Sequence, residues 1–115
     1  SLDIPQPKVE KTRINGAVLY KDKFGNLITN IEVSLFEDFA MQAGGHEKVL
    51  MQIRERKIPY SDRYSDRRIG DEMFLAGSLG LIEIAVREGS AAEKLKIEPG
   101  ESVTIRTLEN KKKVH

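Results

Sequence analysis

Apolar and polar positions along this chain alternate in short runs, and no long helical stripe appears. Ile14, Val18 and Leu19 mark a first strand over 13–20, with Gly16 set for a bulge or a close backbone contact. The chain turns at 21–25 and continues as a β-branched strand over 26–33. Ser34-Leu35-Phe36-Glu37 reads as a capping box, and Leu35, Phe36, Phe39 and Ala40 follow at helical spacing. Gly44-Gly45 ends that helix. Val49, Met51 and Ile53 alternate in a strand over 48–53. A charged turn over 54–57 and a long ordered loop over 58–71 follow. Short strands at 73–76 and 81–86 flank the tight turn Gly77-Ser78-Leu79-Gly80. A second capping box, Ser90-Ala91-Ala92-Glu93, opens helical turns that run to Leu95. A turn at 98–101 leads to a last strand over 102–108. The pattern predicts an all-β (mainly β) fold, a small β-barrel or sandwich of about six to seven short strands with two short helices. Residues 1–12 read as a lead-in or linker, 13–108 as the barrel, and 109–115 as a basic tail.

The densest stretch is Asp22-Lys23-Phe24-Gly25-Asn26-Leu27-Ile28-Thr29-Asn30-Ile31. It sets an acid, a ring, a glycine and two amides among apolar residues. Ligand pockets combine apolar walls with a few placed polar groups in this way. Gly25 permits close approach of a flat ligand or another backbone. The Asn26 amide offers both an acceptor and donors, as reading the edge of a heteroaromatic base requires. The competing interpretation is a strand corner whose Phe24 fills the core.

Composition narrows the chemistry. Lys and Arg number 19 against 18 Asp and Glu, for a net charge of +1, without the basic excess of a nucleic-acid or anionic-membrane binder. With no cysteine, disulfides, thiolate metal sites and cysteine nucleophiles are excluded. No apolar run reaches the length of a membrane span, and the first ten residues lack a signal-peptide pattern. We expect no nucleic acid, no membrane, no metal and a cytoplasmic location.

Other candidates are weaker. His46 follows two glycines and reads as a solvated turn residue, and the terminal His115 carries no inference. Asp22, Asp62, Asp66, Asp71 and Glu72 have no fixed separation that would pair them as acid and base. Glu83 alternates with Ile82 and Ile84, which places it on the solvent side of its strand. The Gly77–Gly80 turn can offer backbone N–H groups to an anion. Tyr60 and Tyr64 lie between Arg54–Lys57 and Arg67-Arg68, but interleaved acids dilute any field for single-stranded nucleic acid.

Four blocks in register carry more. They are the 22–31 stretch, then Tyr64-Ser65-Asp66 with Gly70-Asp71-Glu72, then Gly77-Ser78-Leu79-Gly80-Leu81-Ile82-Glu83-Ile84-Ala85-Val86, then Gly89-Ser90-Ala91-Ala92. Together they closely resemble the C-terminal domain of the S-adenosylmethionine hydroxide adenosyltransferases, relatives of the fluorinases and chlorinases, from about Gly16 to Thr107. The resemblance implies a β-barrel from a two-domain enzyme, usually a trimer, with its site between this domain and a neighbour's N-terminal domain. There, water or hydroxide attacks C5′ of S-adenosylmethionine and methionine leaves; S-adenosylmethionine is the substrate and no cofactor is implied. By the same resemblance Asn26 binds the adenine edge, Phe24 and Tyr64 line its faces, and backbone near Val86 and Glu88 completes that edge. Asp22 holds the methionine ammonium and Ser78 its carboxylate, helped by the Gly77–Gly80 turn. Some halogenating relatives have arginine after that serine; here it is Leu79. The family's activating residues belong to the N-terminal domain, so this chain supplies no catalytic residue and is expected to be inactive alone. The alternative is a non-catalytic assembly or ligand-binding barrel.

Overall fold

The computed structural model describes residues 5–108. Its strands are β1 (Lys8–Val9), β2 (Arg13–Lys21), β3 (Leu27–Glu32), β4 (Val49–Ile53), β5 (Arg56–Ile58), β6 (Glu72–Ala76), β7 (Leu81–Val86) and β8 (Ser102–Thr107). Helix α1 spans Val33–Ala43 and helix α2 spans Ala91–Leu95. Seven strands run in the order β5-β4-β8-β2-β3-β7-β6, every neighbouring pair antiparallel, and β1 adds to β2. The sheet curls nearly shut. Past β5, Ser61 N–H donates to Phe74 O and Phe74 N–H to Pro59 O, joining the two ends of the order. The expected small mainly-β barrel with two helices is therefore the fold, with seven barrel strands.

The curl has a visible cause in β2. Its register shifts between Val18 and Tyr20, so one strand serves β8 along 13–17 and β3 along 18–21. A bulge of this kind bends a strand and strengthens its twist. Gly16 provides the close contact: a Cβ there would meet Asn30 Oδ1 at 2.6 Å and Ile31 Cγ1 at 2.8 Å. One continuous apolar core fills the interior, built from Ile14, Leu27, Ile31, Phe36, Met51, Ile58, Phe74, Ile82, Ile84 and Ile105 among others. Helix α1 adds Phe36, Phe39 and Ala40 to it, and α2 adds Ala91 and Leu95.

Three local expectations change. The Ser34–Glu37 capping box does not form: Glu32 is the N-cap and makes no side-chain cap bond. Strand β3 runs straight into α1, and Val33 N–H donates to Gly80 O at 2.8 Å, which meets one of the N–H groups a cap would serve. Ser90 does cap its helix, with Ser90 Oγ accepting from Glu93 N–H at 3.1 Å. The charged 54–57 segment is a hairpin turn plus β5, because Ile58 is fully buried against Met51 and pulls Arg56 and Lys57 into the ladder. Finally, part of the lead-in pairs with β2 as β1. The basic tail lies outside the described residues.

His46 follows the Gly44-Gly45 turn, as expected, but it is only partly solvated, its side chain being 37% exposed. Its ring stacks on Tyr60 at 4.3 Å between centroids and on Phe36 at 5.7 Å, and its Nε2 lies 2.8 Å from Glu37 Oε2. Phe36, Tyr60 and Phe74 complete an aromatic cluster where α1 meets the barrel seam. The Gly44-Gly45 turn swings His46 back over the helix, something that spacing along the chain does not reveal.

Candidate functional site

The β2–β3 corner is built by Asp22. Its Oδ1 accepts from the N–H groups of Phe24 and Asn26, both at 2.9 Å, and its Oδ2 from Asn26 Nδ2 at 3.3 Å. A side chain that satisfies backbone two residues on forms an Asx turn, which explains an acid at this position. Gly25 sits at φ +83°, and a Cβ there would overlap the Ser90 side chain. Its carbonyl accepts from Ala92 N–H at 2.9 Å, so the corner rests on the first turn of α2. The backbone that approaches Gly25 is thus the protein's own.

Phe24 is not a core residue; it is 68% exposed, with Lys23 Nζ 5.2 Å from the ring centroid. The ring forms one wall of an open recess of about 450 Å³ lined by Phe24, Asn26, Tyr64, Val86, Glu88 and Gly89 with their neighbours. Pockets for small ligands typically run from about 300 to 1,000 Å³. Five of the seven residues singled out from the sequence meet there, from three separate parts of the chain.

Tyr64 reaches the recess from the 59–71 loop and its Oη lies 3.5 Å from Asn26 Nδ2. Arg87 holds that loop: Nη1 donates to Arg67 O at 2.6 Å and to Ser65 O at 3.4 Å, while Arg87 N–H donates to Asp71 O. Burial, reinforced by the charges of Glu83 and Asp22, pushes the Tyr64 phenol up from its ordinary value. Sequence reasoning passed over Arg87, whose flanking Val86 and Glu88 drew notice only by resemblance.

Asp22 and Ser78 do not line the recess, but Glu83 links them. Glu83 points to the outer face of β7, as alternation required, yet it is only 6% exposed. Its cross-strand neighbours Ile28 and Leu75 are buried too, as are Met73 and Ala85 on that side. This outer face is covered, and the solvent-side assignment fails for that reason. The signal was present: Met73-Phe74-Leu75 and Leu81–Val86 are almost continuously apolar, as strands buried on both faces are. Burial first, then Asp22, raises the Glu83 carboxyl above the ordinary range, and the Ser78 main-chain amide pulls the other way. Ser78 and Leu79 lie exposed on the Gly77–Gly80 turn. A larger groove of about 1,000 Å³ crosses the outside of β4 and β8, past Gln52 and Arg106, and holds none of these residues.

The fold is thus a nearly closed antiparallel barrel with a half-open recess at a strand corner. The sequence model of the SAM hydroxide adenosyltransferase C-terminal domain matches residues 16–104, and this chain belongs to that family. The chain is 31% identical over 90 residues to the (R)-S-adenosyl-L-methionine hydrolase of Thermus thermophilus, an alignment covering 78% of this chain and 31% of that enzyme. An uncharacterised conserved protein of Thermotoga maritima superposes with a TM-score of 0.75 at 28% identity, over 91% of this chain and 40% of its own. A conserved hypothetical protein of Thermus thermophilus superposes with a TM-score of 0.67 at 28% identity, over 93% and 39%. The chain therefore spans about a third to two fifths of these relatives.

Proposed function

We propose that this barrel is the substrate-binding C-terminal part of an adenosine-forming S-adenosylmethionine hydrolase. The recess that gathers Phe24, Asn26, Tyr64, Val86 and Glu88 in a member of this family carries that reading. Adenine enters with its faces against Phe24 and Tyr64, because rings stack on rings. Both hydrogens of the Asn26 amide nitrogen have partners in Asp22 and Tyr64, which leaves Oδ1 to accept from the adenine amino group. Main chain at Val86 and Glu88 completes the base edge. The amino-acid end extends toward Asp22 and Ser78, carboxylate to ammonium and hydroxyl to carboxylate.

The reaction forms an O–C5′ bond as the C5′–S bond breaks; the sulfur leaves as the neutral thioether of methionine and one proton is released. A cationic leaving group needs little assistance, so alignment and partial desolvation of the nucleophile carry the rate. The open recess supplies one wall, and the N-terminal domain of a neighbouring subunit in a homotrimer supplies the other along with the groups that activate water. Adenosine release is measured with this chain alone and with the N-terminal domain added. Release only in the second case supports the reading, and turnover by the chain alone overturns the division of labour.

A further inference from the structure

Glu83 is a buried carboxylate. Among the described residues no Lys, Arg or His forms an ion pair with it. A charge buried without a partner is costly, and sites keep such groups for binding or chemistry more often than cores do. The carboxylate packs against Gly77, where any Cβ would overlap Oε2. Glycine at 77 is therefore what admits Glu83, although its φ is not positive. The Ser78 amide, Asp22 and Tyr64 are all close enough to the carboxylate to act on it or feel its charge. Of the other amides of the turn, Gly77 N–H donates to Leu81 O at 2.9 Å and Gly80 N–H to Gly77 O at 3.1 Å, while Leu79 N–H has no partner among the described residues.

We propose that Glu83 is a positioning residue, which fixes the Gly77–Gly80 turn against the Asp22–Asn26 corner so that Ser78 meets a ligand carboxylate through its hydroxyl. The main-chain amide of Ser78 is drawn toward Glu83, so the turn presents the ligand with the Ser78 hydroxyl and, of its backbone donors, only Leu79 N–H. The inference rests on the substrate reading above, and deepens it by separating the two ends of the ligand. The adenine end depends on Phe24, Asn26 and Tyr64. The amino-acid end depends on Glu83, acting through Ser78.

Two measurements test it. In the first, the chain, Glu83→Leu and Glu83→Gln are titrated calorimetrically with adenosine and with S-adenosylmethionine. Loss of the acceptor in Glu83→Leu weakens S-adenosylmethionine binding about tenfold and leaves adenosine within about twofold, while Glu83→Gln, which keeps an acceptor, recovers most of the loss. An equal loss for both ligands, or none for either, overturns the assignment. In the second, the Ser78 amide resonance is followed against pH in the ligand-free chain. It moves with the ionisation of Glu83 and is static in Glu83→Gln; a static resonance in the parent chain overturns the proposal whether or not either ligand binds. Failure of the parent chain to bind adenosine counts instead against the substrate reading.

Discussion

Asn26 and Asp22 bind each other twice, through the Asn26 main-chain N–H on Oδ1 at 2.9 Å and the Asn26 side-chain amide on Oδ2 at 3.3 Å. One side chain thereby sets both the turn and the orientation of the amide that faces the recess. Asn26→Ala keeps the backbone bond and removes the reading group together with its contacts to Asp22 Oδ2 and Tyr64 Oη. In the enzyme assembled with its N-terminal domain it loses roughly 1–3 kcal/mol of substrate binding, the cost of an unpaired base edge. Unchanged KM and kcat remove Asn26 from the site.

Phe24 separates binding from stability. An exposed ring contributes little to the fold, so Phe24→Ala changes stability by no more than about 0.5 kcal/mol. Loss of a stacking face weakens adenosine binding by about 1–3 kcal/mol. Denaturant melts and calorimetry on the same variant check both halves, and a large stability loss with unchanged binding contradicts the recess as the base site.

Gly25 is the opposite case. Alanine at φ +83° costs about 1–2 kcal/mol in backbone strain alone. Its Cβ also displaces Ser90, the N-cap of α2, for about 1 kcal/mol more. Denaturant unfolding of Gly25→Ala measures the sum, and a loss below about 0.5 kcal/mol shows that the corner does not rest on α2 as described.

Burial and the neighbouring acids Asp62 and Glu37 push the Tyr60 phenol up to about 12. Above pH 10 the unfolded chain loses this proton while the folded chain keeps it, so stability falls between pH 10 and about 12. Absorbance titration of phenolate resolves Tyr60 as a late step that Tyr60→Phe removes. Ionisation of all the tyrosines near the ordinary value contradicts the cluster with His46 and Phe36.

Glu83 makes a prediction of the reverse kind. Its folded-state carboxyl titrates higher than in the unfolded chain, so the ionised form burdens the fold at neutral pH. That burden is relieved as pH falls through the raised value toward the ordinary glutamate range. Glu83→Gln is therefore at least as stable as the parent at pH ~7, and the difference shrinks on acidification. A variant that melts well below the parent at neutral pH shows that the charge supports the fold.

The sequence by itself determined β2, β3, β4, β6, β7 and β8, both glycine-ended turns and the second helix cap. Each depends on neighbours within a few residues: Val49, Met51 and Ile53 alternate whatever surrounds them, and Ser90 caps an N–H three residues on. It also determined the chemistry of the 22–31 corner, where Asp22 folds its own turn. What lay beyond that reach was decided by tertiary structure. The first helix gave up its Ser34 cap because Gly80 from a distant turn served Val33. His46 became partly covered because Tyr60 came to lie against it, and Glu83 became buried because the outer face of β7 is covered. Alternation assigns a side chain to a face of a strand; only the packing of remote segments decides whether that face meets water.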